Sequence, residues 1–341
     1  MLRRFVISLL ATVGLATTAA ANCGGERIVQ AGDTILGLAA EAYGDPEKWT
    51  LIYYANQNKL TGNFAIAVGT RLMIPCAPGQ EPKFDATPLQ QVDAELKLVT
   101  GSNFAPFTDT AWPGQGMVTE LINAAMEMTP EPVPYAIAWE NDWSQHLSPI
   151  LTEIKADMGF PWYRPDCAKD PGNFRCTSFH FSDPLVDVLI MLFVPANGGM
   201  QYVSDADVVG KTLCRPAGYF THDLDRAGRD WLSTGLVRFV QPETPRDCFD
   251  LLMQGQVDAV ALNVFTGAQT LDDMGLRGQV VPLETPLSAE GLHVVISKTH
   301  WRGTTHLYRI NAGLRALRDS DRYNEIVSRH LGVFWDQIQT N

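Results

Sequence analysis

Positive charge is scarce in this chain. Lys and Arg total 26 against 38 Asp and Glu, for a formal net charge of −12. That balance offers no general attraction to nucleic acid or to an anionic lipid surface, and no nucleic-acid partner is expected. Charged residues are only 19% of the whole and hydrophobic ones 45%, which excludes wholesale disorder and supplies cores for two or three domains. A membrane-length apolar run is missing: the best candidate, Phe5 to Leu15, is too short for a comfortable span. Catalytic signatures are missing as well. There is no GxSxG, HExxH or SxxK in a credible context, and the seven histidines are scattered. No CxxC spacing or Cys/His cluster indicates a metal, so neither metal nor cofactor is expected. Gly210-Lys211-Thr212 echoes the end of a phosphate loop, but Asp205 stands where the earlier glycine belongs, so it reads as structural.

What is present begins with "MLRRFVISLLATVGLATTAAANC". Arg3 and Arg4, the short apolar stretch and Ala19-Ala20-Ala21 have the pattern of a cleavable secretory signal over residues 1–21, which predicts a periplasmic protein. Six cysteines follow: Cys23, Cys76, Cys167, Cys176, Cys214 and Cys248. An even set in an exported chain predicts three disulfides. Asn22 and the odd number that lipidation would leave both argue against a lipid on Cys23. The sequence leaves the pairing open. Neighbours are the favoured partners (Cys23 with Cys76, Cys167 with Cys176, Cys214 with Cys248), because each bridge then staples one local unit.

Residues 23–76 form a compact block. "ERIVQ" reads as a strand. Ile35, Leu38, Ala39 and Ala42 recur at helical spacing, with Asp33 or Thr34 as the cap. Asp45-Pro46 opens a second helix through Trp49 and Tyr53, and "GTRLMIP" closes the block as a strand. "VQAGDTILGLAAEAYGDPEKWTLIYYANQNKL" with "VGTRLMIP" resembles a LysM domain. The resemblance implies a βααβ module that binds N-acetylglucosamine-containing glycans, with peptidoglycan as partner. Its groove would lie between Gly32-Asp33-Thr34-Ile35 and the loop after Asn56. Residues 77–93, rich in Pro, Gln and small polar residues, read as a linker.

From residue 94 onward, strand and helix signals alternate, which implies a largely parallel sheet covered by helices. "LKLVTG" and "YAIAWE" are strands. "GMVTELINAAMEM" is an amphipathic helix, with Val118, Leu121, Ile122 and Ala125 on one face. "WSQHLSPILTEI" is read as another, with Trp143, Leu147, Ile150, Leu151 and Ile154 on one stripe. After residue 185 the pattern restarts with "VLIMLFVPA". "GKTLCRPAG" follows, leading into an expected helix near His222. A Thr244-capped helix and the strands "VDAVALN" and "GLHVVIS" come next, and two helices finish the chain. The fold class expected is α/β, a small βααβ module followed by two lobes. The first lobe covers about 94–185 and 285–335, the second about 186–284, with a ligand cleft between them.

Several segments carry a second resemblance: "SNFAPF", "WSQHLSPILTEIKADMG", an arginine ahead of "FSDP", "DVVGKTLC" and "CFDLLMQGQVDAV". Together they resemble the periplasmic solute-binding proteins of the polar-amino-acid transport family, over about residues 94–335. The resemblance implies a type 2 periplasmic-binding fold, a non-enzymatic role, a small-molecule ligand, and an ABC-transporter permease or a membrane sensor as partner. It places the ligand's carboxylate on Arg175. Arg164, in "PWYRP", is the competing anion contact, because "WYRPDCAKDPGNFRC" is an insertion beside Arg175. Where the family has an aspartate for the α-ammonium, "VDAVALN" ends on Asn263. An amide brings no full negative charge, so a neutral or anionic ligand is favoured over a standard amino acid. Phe104, Phe107, Trp162, Tyr163, Tyr219 and Phe265 are candidate aromatic contacts. Arg215 and the Gly218-Tyr219 turn are a further anion contact at an expected helix start. The function expected is a wall-associated solute-binding protein. The alternatives are a sensor of peptidoglycan fragments or a cell-wall enzyme using the same cleft.

Overall fold

The short N-terminal elements form where the sequence places their caps. The Thr34 hydroxyl accepts the Gly37 amide and starts α1 (Ile35–Tyr43), and Gly44 ends it in the left-handed region at φ 72°. Asp45 caps a single turn, Pro46–Lys48, that leads into α2 (Trp49–Ala55). Two strands, β1 (Gly25–Ile28) and β2 (Arg71–Ile74), pair antiparallel beside them, and Cys23–Cys76 ties the ends of the block together. The order is therefore strand, helix, helix, strand. This computed structural model describes residues 23–60, 66–76 and 89–340. The expected signal peptide (1–21) lies outside the described residues, as does residues 77–88 of the expected linker.

The first lobe is built from β3 (Leu96–Thr100), α3 (Met117–Glu127), β4 (Tyr135–Trp139), the single turn α4 (Trp143–Gln145), β5 (Met158–Tyr163), the short α5 (Phe174–Ser178) and β6 (Phe179–Phe181). The chain leaves it along β7 (Val186–Pro195). The second lobe holds β8 (Thr212–Cys214), the hairpin of β9 (Asp225–Arg226) and β10 (Arg229–Asp230), β11 (Arg238–Val240), α6 (Pro245–Met253), β12 (Ala259–Asn263), α7 (Val264–Asp273) and β13 (Val280–Pro282). The long β14 (Ser288–Ser297) returns to the first lobe, and α8 (Gly303–Arg318) and α9 (Arg322–Thr340) end the chain. Strands lie side by side in the order β11-β8-β12-β7-β14-β5-β3-β4. Pairing is parallel within each lobe, for β3 with β4 and β5 and for β8 with β11 and β12. The two crossing strands pair antiparallel, residues 186–190 of β7 against 288–292 of β14. Two lobes joined by two antiparallel strands can pivot about them.

Three local expectations give way here. "WSQHLSPILTEI" is not one helix. Its backbone leaves helical geometry at Ser148 (φ −141°, ψ 125°), immediately before Pro149, because a proline disfavours helical conformation in the residue ahead of it. The stripe is split accordingly: Leu147 and Leu151 are buried, while Ile154 is exposed. No helix forms near His222. Pro216 and Gly218, at φ 82°, interrupt the chain, and the β9–β10 hairpin turns through Gly228 instead. Helix α3 is buried from Met117 to Met126 rather than on one face, because it lies under both α8 and α9. A Cβ at Gly313 of α8 would come within 2.0 Å of the Ala125 carbonyl oxygen of α3, so these helices cross as closely as backbone allows.

The N-terminal block does not stand apart. The Trp335 indole N–H of α9 donates to the Thr50 hydroxyl of α2 at 2.6 Å, and Lys48 pairs with Asp336 at 2.9 Å. Arg277, just after α7, pairs with Glu47 and donates to the Ile338 carbonyl at 2.7 Å. The Tyr54 ring packs 6.1 Å from Phe265 of α7.

Candidate functional site

Strands β5 and β12 and the loop after β8 open onto one cleft of about 290 Å³ between the lobes. The first lobe contributes Phe104, Trp143, Trp162, Tyr163 and Arg175; the second contributes Arg215, Tyr219, Phe220 and Asn263. Trp143 lies 5.9 Å from Trp162 and 6.2 Å from Phe104. Tyr163 and Phe220 meet across the cleft with ring centroids 4.4 Å apart.

Arg175 reaches this cleft. Asn173 caps the short helix α5 by accepting the Arg175 amide, and the Cys167–Cys176 bridge fixes the next residue. The guanidinium sits over the Trp162 ring, 4.9 Å from its centroid, and donates one long bond, 3.4 Å, to the Tyr163 carbonyl. Among the described residues no carboxylate lies within ion-pairing distance of it. Burial pushes its pKa down from the ordinary arginine value, the sign of a cation held without a counter-charge. On the same wall, the Tyr163 hydroxyl and the Trp162 indole N–H are buried and find no hydrogen-bond partner among the described residues. Burial also pushes the Tyr163 pKa up, so the hydroxyl keeps its proton and remains a donor.

The other candidates separate by how their groups are engaged. Arg215 lines the cleft but is buried, and its donors are taken. It holds Asp223 in a bidentate pair at 2.6 and 2.8 Å and donates to the Phe220 and Ala261 carbonyls. The anion contact expected of it is therefore filled from within the chain, and the helix start expected beside it is not formed. Arg164 is exposed and turned to Phe181, 5.9 Å from that ring; it does not line the cleft. Phe107 is buried behind Phe104 at 4.8 Å, and Phe265 behind Phe107 at 5.3 Å; neither reaches the cleft. Asn263 does line it, but as the cap of α7: its Oδ1 accepts the Thr266 amide and its Nδ2 donates to the Thr266 hydroxyl, both at 2.8 Å. The cleft lining contains no Asp, Glu, His, Lys, Ser, Thr or Cys among the described residues. Trp143 and Phe220 were missed as cleft residues. Trp143 had been placed on a helical stripe, and Phe220 could have been found as the neighbour of Tyr219 in a turn already singled out.

In the N-terminal block, Gly32 is exposed in a turn at φ 92°, and the Asp33 carboxylate accepts the Gln30 amide at 2.8 Å. The Thr34 hydroxyl is the α1 cap. Ile35 is buried. Asn56 is buried and bonds the Ile52 carbonyl and both polar groups of the Met73 backbone. Ile35 and Asn56 therefore support the block from inside and present nothing at its surface.

No protein-family model and no curated protein matches the chain. Solved structures do. The amino acid ABC transporter substrate-binding protein AbpA from Streptococcus pneumoniae, bound to L-arginine, aligns over 70% of this chain and 95% of its own, with 16% identity and a TM-score of 0.50. A mutant of ArgBP from T. maritima aligns over 68% and 93% at 22% identity and a TM-score of 0.49. A histidine kinase sensor domain with similarity to periplasmic binding proteins aligns over 69% and 96% at 18% identity and a TM-score of 0.49. At these identities the likeness is one of fold, that of a two-lobed periplasmic binding protein. Among the described residues no helix is long and apolar enough to cross a membrane.

Proposed function

We propose that this protein is an extracytoplasmic binding protein. Its two lobes capture a small anionic solute with a flat or apolar body, and Arg175 grips the anionic group. One observation carries the reading: Arg175 is a desolvated guanidinium on the cleft wall with no carboxylate partner, in a lining without any acidic side chain. A planar, donor-rich guanidinium suits a carboxylate in bidentate geometry. The unpartnered Tyr163 and Trp162 donors add neutral N–H and O–H groups for the ligand's remaining acceptors, and the aromatic rings suit its body. An α-ammonium finds no counter-charge. Among the described residues the lining also offers no carboxylate, imidazole, amine or thiol, and burial pushes up the pKa of its two tyrosines, Tyr163 and Tyr219, which favours binding over turnover. Three disulfides fit an oxidising compartment. The bound solute would be passed to a permease or reported to a membrane sensor. The strand-helix-helix-strand order of residues 23–76 supports a LysM-like module. A hold on peptidoglycan would have to come from surface groups other than Ile35 and Asn56.

A thermal-shift screen of the mature chain against organic acids, aromatic carboxylates, amino acids, sugars and amines tests this reading, since a ligand that prefers the folded state raises the midpoint. Carboxylates lacking an amino group should score. Arg175→Ala should weaken the hit by about 2–4 kcal/mol, roughly thirtyfold to a thousandfold, and Arg175→Lys by less. A preference for amines, or a hit indifferent to Arg175→Ala, would overturn it.

A further inference from the structure

At the end of β5 away from the cleft, three chain segments bring metal-ligating groups together. Asp157 immediately precedes β5, His300 lies in the turn after β14, and His306 is in the first turn of α8. One ligand atom from each lies within 4.8 Å of the others. The His300 Nε2 is 2.8 Å from Asp157 Oδ1, and the His306 Nε2 is 3.9 Å from the same oxygen. β5 separates this cluster from Trp162 and Tyr163, and six strand residues span roughly 20 Å, so it is distinct from the ligand cleft.

The independent sign is His306. It is 4% exposed, and neither of its ring nitrogens has a hydrogen-bond partner among the described residues. A buried imidazole with both nitrogens unengaged forfeits two hydrogen bonds that water would have given it. The side chain borders a cavity of about 560 Å³ that Asp157 and His300 also border. We propose that Asp157, His300 and His306 form a binding site for Zn²⁺ or another late first-row divalent cation, with exogenous ligands completing the coordination from the cavity. Two imidazoles and one carboxylate suit that class of ion and not Ca²⁺ or Mg²⁺, which take oxygen ligands.

The present positions need only small changes. Zn–N and Zn–O bonds of about 2 Å put tetrahedral ligand atoms roughly 3.3 Å apart, so the 2.8 Å pair opens and the 3.9 Å pair closes. Asp157 is already oriented, because its Oδ2 accepts the Lys97 amide at 2.7 Å and leaves Oδ1 for the ion. His300 must change state. Its Nδ1 accepts the Arg302 amide at 3.0 Å, which leaves the ring proton on Nε2, facing Asp157. Loading moves that proton from Nε2 to Nδ1, so that the imidazole stays neutral and Nε2 is free for the ion. The Arg302 amide then turns to water, which its position in the turn ahead of α8 permits. Glu95 on the cavity rim favours a cation, while Arg302 and Arg309 on the same rim oppose it. A bound ion would fasten the start of β5 to the start of α8 within the first lobe.

The test is zinc uptake by the metal-depleted mature chain, followed by calorimetry and by the absorption bands of Co²⁺ in the same site. One ion per chain is expected. His306→Gln should weaken uptake by more than the roughly tenfold to hundredfold that outer-shell changes cause, with an unchanged circular dichroism spectrum. Should that variant fail to fold, anomalous scattering at the zinc edge from crystals of the unaltered chain decides. A peak among Asp157, His300 and His306 supports the site. Absence of stoichiometric uptake, uptake unchanged by His306→Gln, or a peak elsewhere overturns it.

Discussion

Asn263 holds two positions at once: it is the last residue of β12 on the cleft wall and the cap of α7. Aspartate caps a helix about as well as asparagine and suits the positive helix start. Asn263→Asp should therefore keep the cap of α7 while placing a carboxylate in a lining that has none. The expected outcome in a thermal-shift screen is a shift of preference, with weaker carboxylate binding and a gain for ligands carrying an ammonium group. A variant as stable as the parent with identical preferences would mean that this wall does not meet the ligand. Residues such as these were unequally legible. Arg175 could be read from its spacing to "FSDP". Asn263 could be read as a missing charge but not as a cap, because α7 itself was not expected. Arg215 could not be judged, because its neutralisation depends on Asp223, eight residues away and brought to it by a loop without periodicity. Asp157, His300 and His306 have no sequence motif; only the tertiary fold gathers them.

Helices α3 and α9 meet over a polar latch within an otherwise apolar contact. The His330 Nδ1 accepts the Trp112 indole N–H at 3.1 Å, and its Nε2 donates to the buried Glu120 carboxylate at 2.7 Å. Arg329 also pairs with Glu120. Burial pushes the His330 pKa below its ordinary 6.5, against the pull of Glu120. A second proton would have to sit on Nδ1, facing the Trp112 donor. Since the folded pKa is the lower one, the unfolded chain binds the proton more readily. The contribution of His330 to stability is present above about pH 6.5 and is lost as pH falls below it. Urea midpoints should therefore drop between pH 7.5 and pH 5.5, and His330→Gln, less stable throughout, should flatten that drop. A slope unaltered by the substitution would assign it to other groups. At this scale periodicity found β3, β4, β12, β14 and the last two helices. It failed at Ser148, where Pro149 outweighed the apolar spacing, and in the loop after β8, where Pro216 and Gly218 broke an expected helix. The strands β6, β11 and β13, three residues each, were too brief to carry a period, whereas α7 was missed although Val264, Gly267 and Leu271 bury one helical face.

The N-terminal block was expected to hang from a linker, and its packing makes it part of the folded body instead. Its α2 meets α9 through Thr50 and Trp335, its Lys48 meets Asp336, and its Glu47 and Tyr54 meet Arg277 and Phe265 beside and within α7. Helix α9 packs on α3 of the first lobe, whereas α7 follows β12 of the second. The block therefore touches both sides of the pair of crossing strands, and any pivot about those strands must slide or release these contacts. Removing residues 23–76 would uncover Trp335, only 2% exposed, and leave its N–H without its acceptor. Burying one large side chain is worth about 1.5–3 kcal/mol, and the uncovered indole N–H exchanges its acceptor for water. The truncated chain should then lose at least about 1.5 kcal/mol in urea unfolding. The full chain should unfold in one transition whether followed by tryptophan fluorescence or by circular dichroism. Thr50→Val gives the same test without a deletion: it keeps the shape, removes the acceptor and should cost about 1–3 kcal/mol. A freely tethered block would give two transitions and leave the midpoint of the two lobes unmoved by either change. Docking predicts the reverse, and under the proposed function it would make the N-terminal block a brake on any lobe closure that accompanies ligand capture.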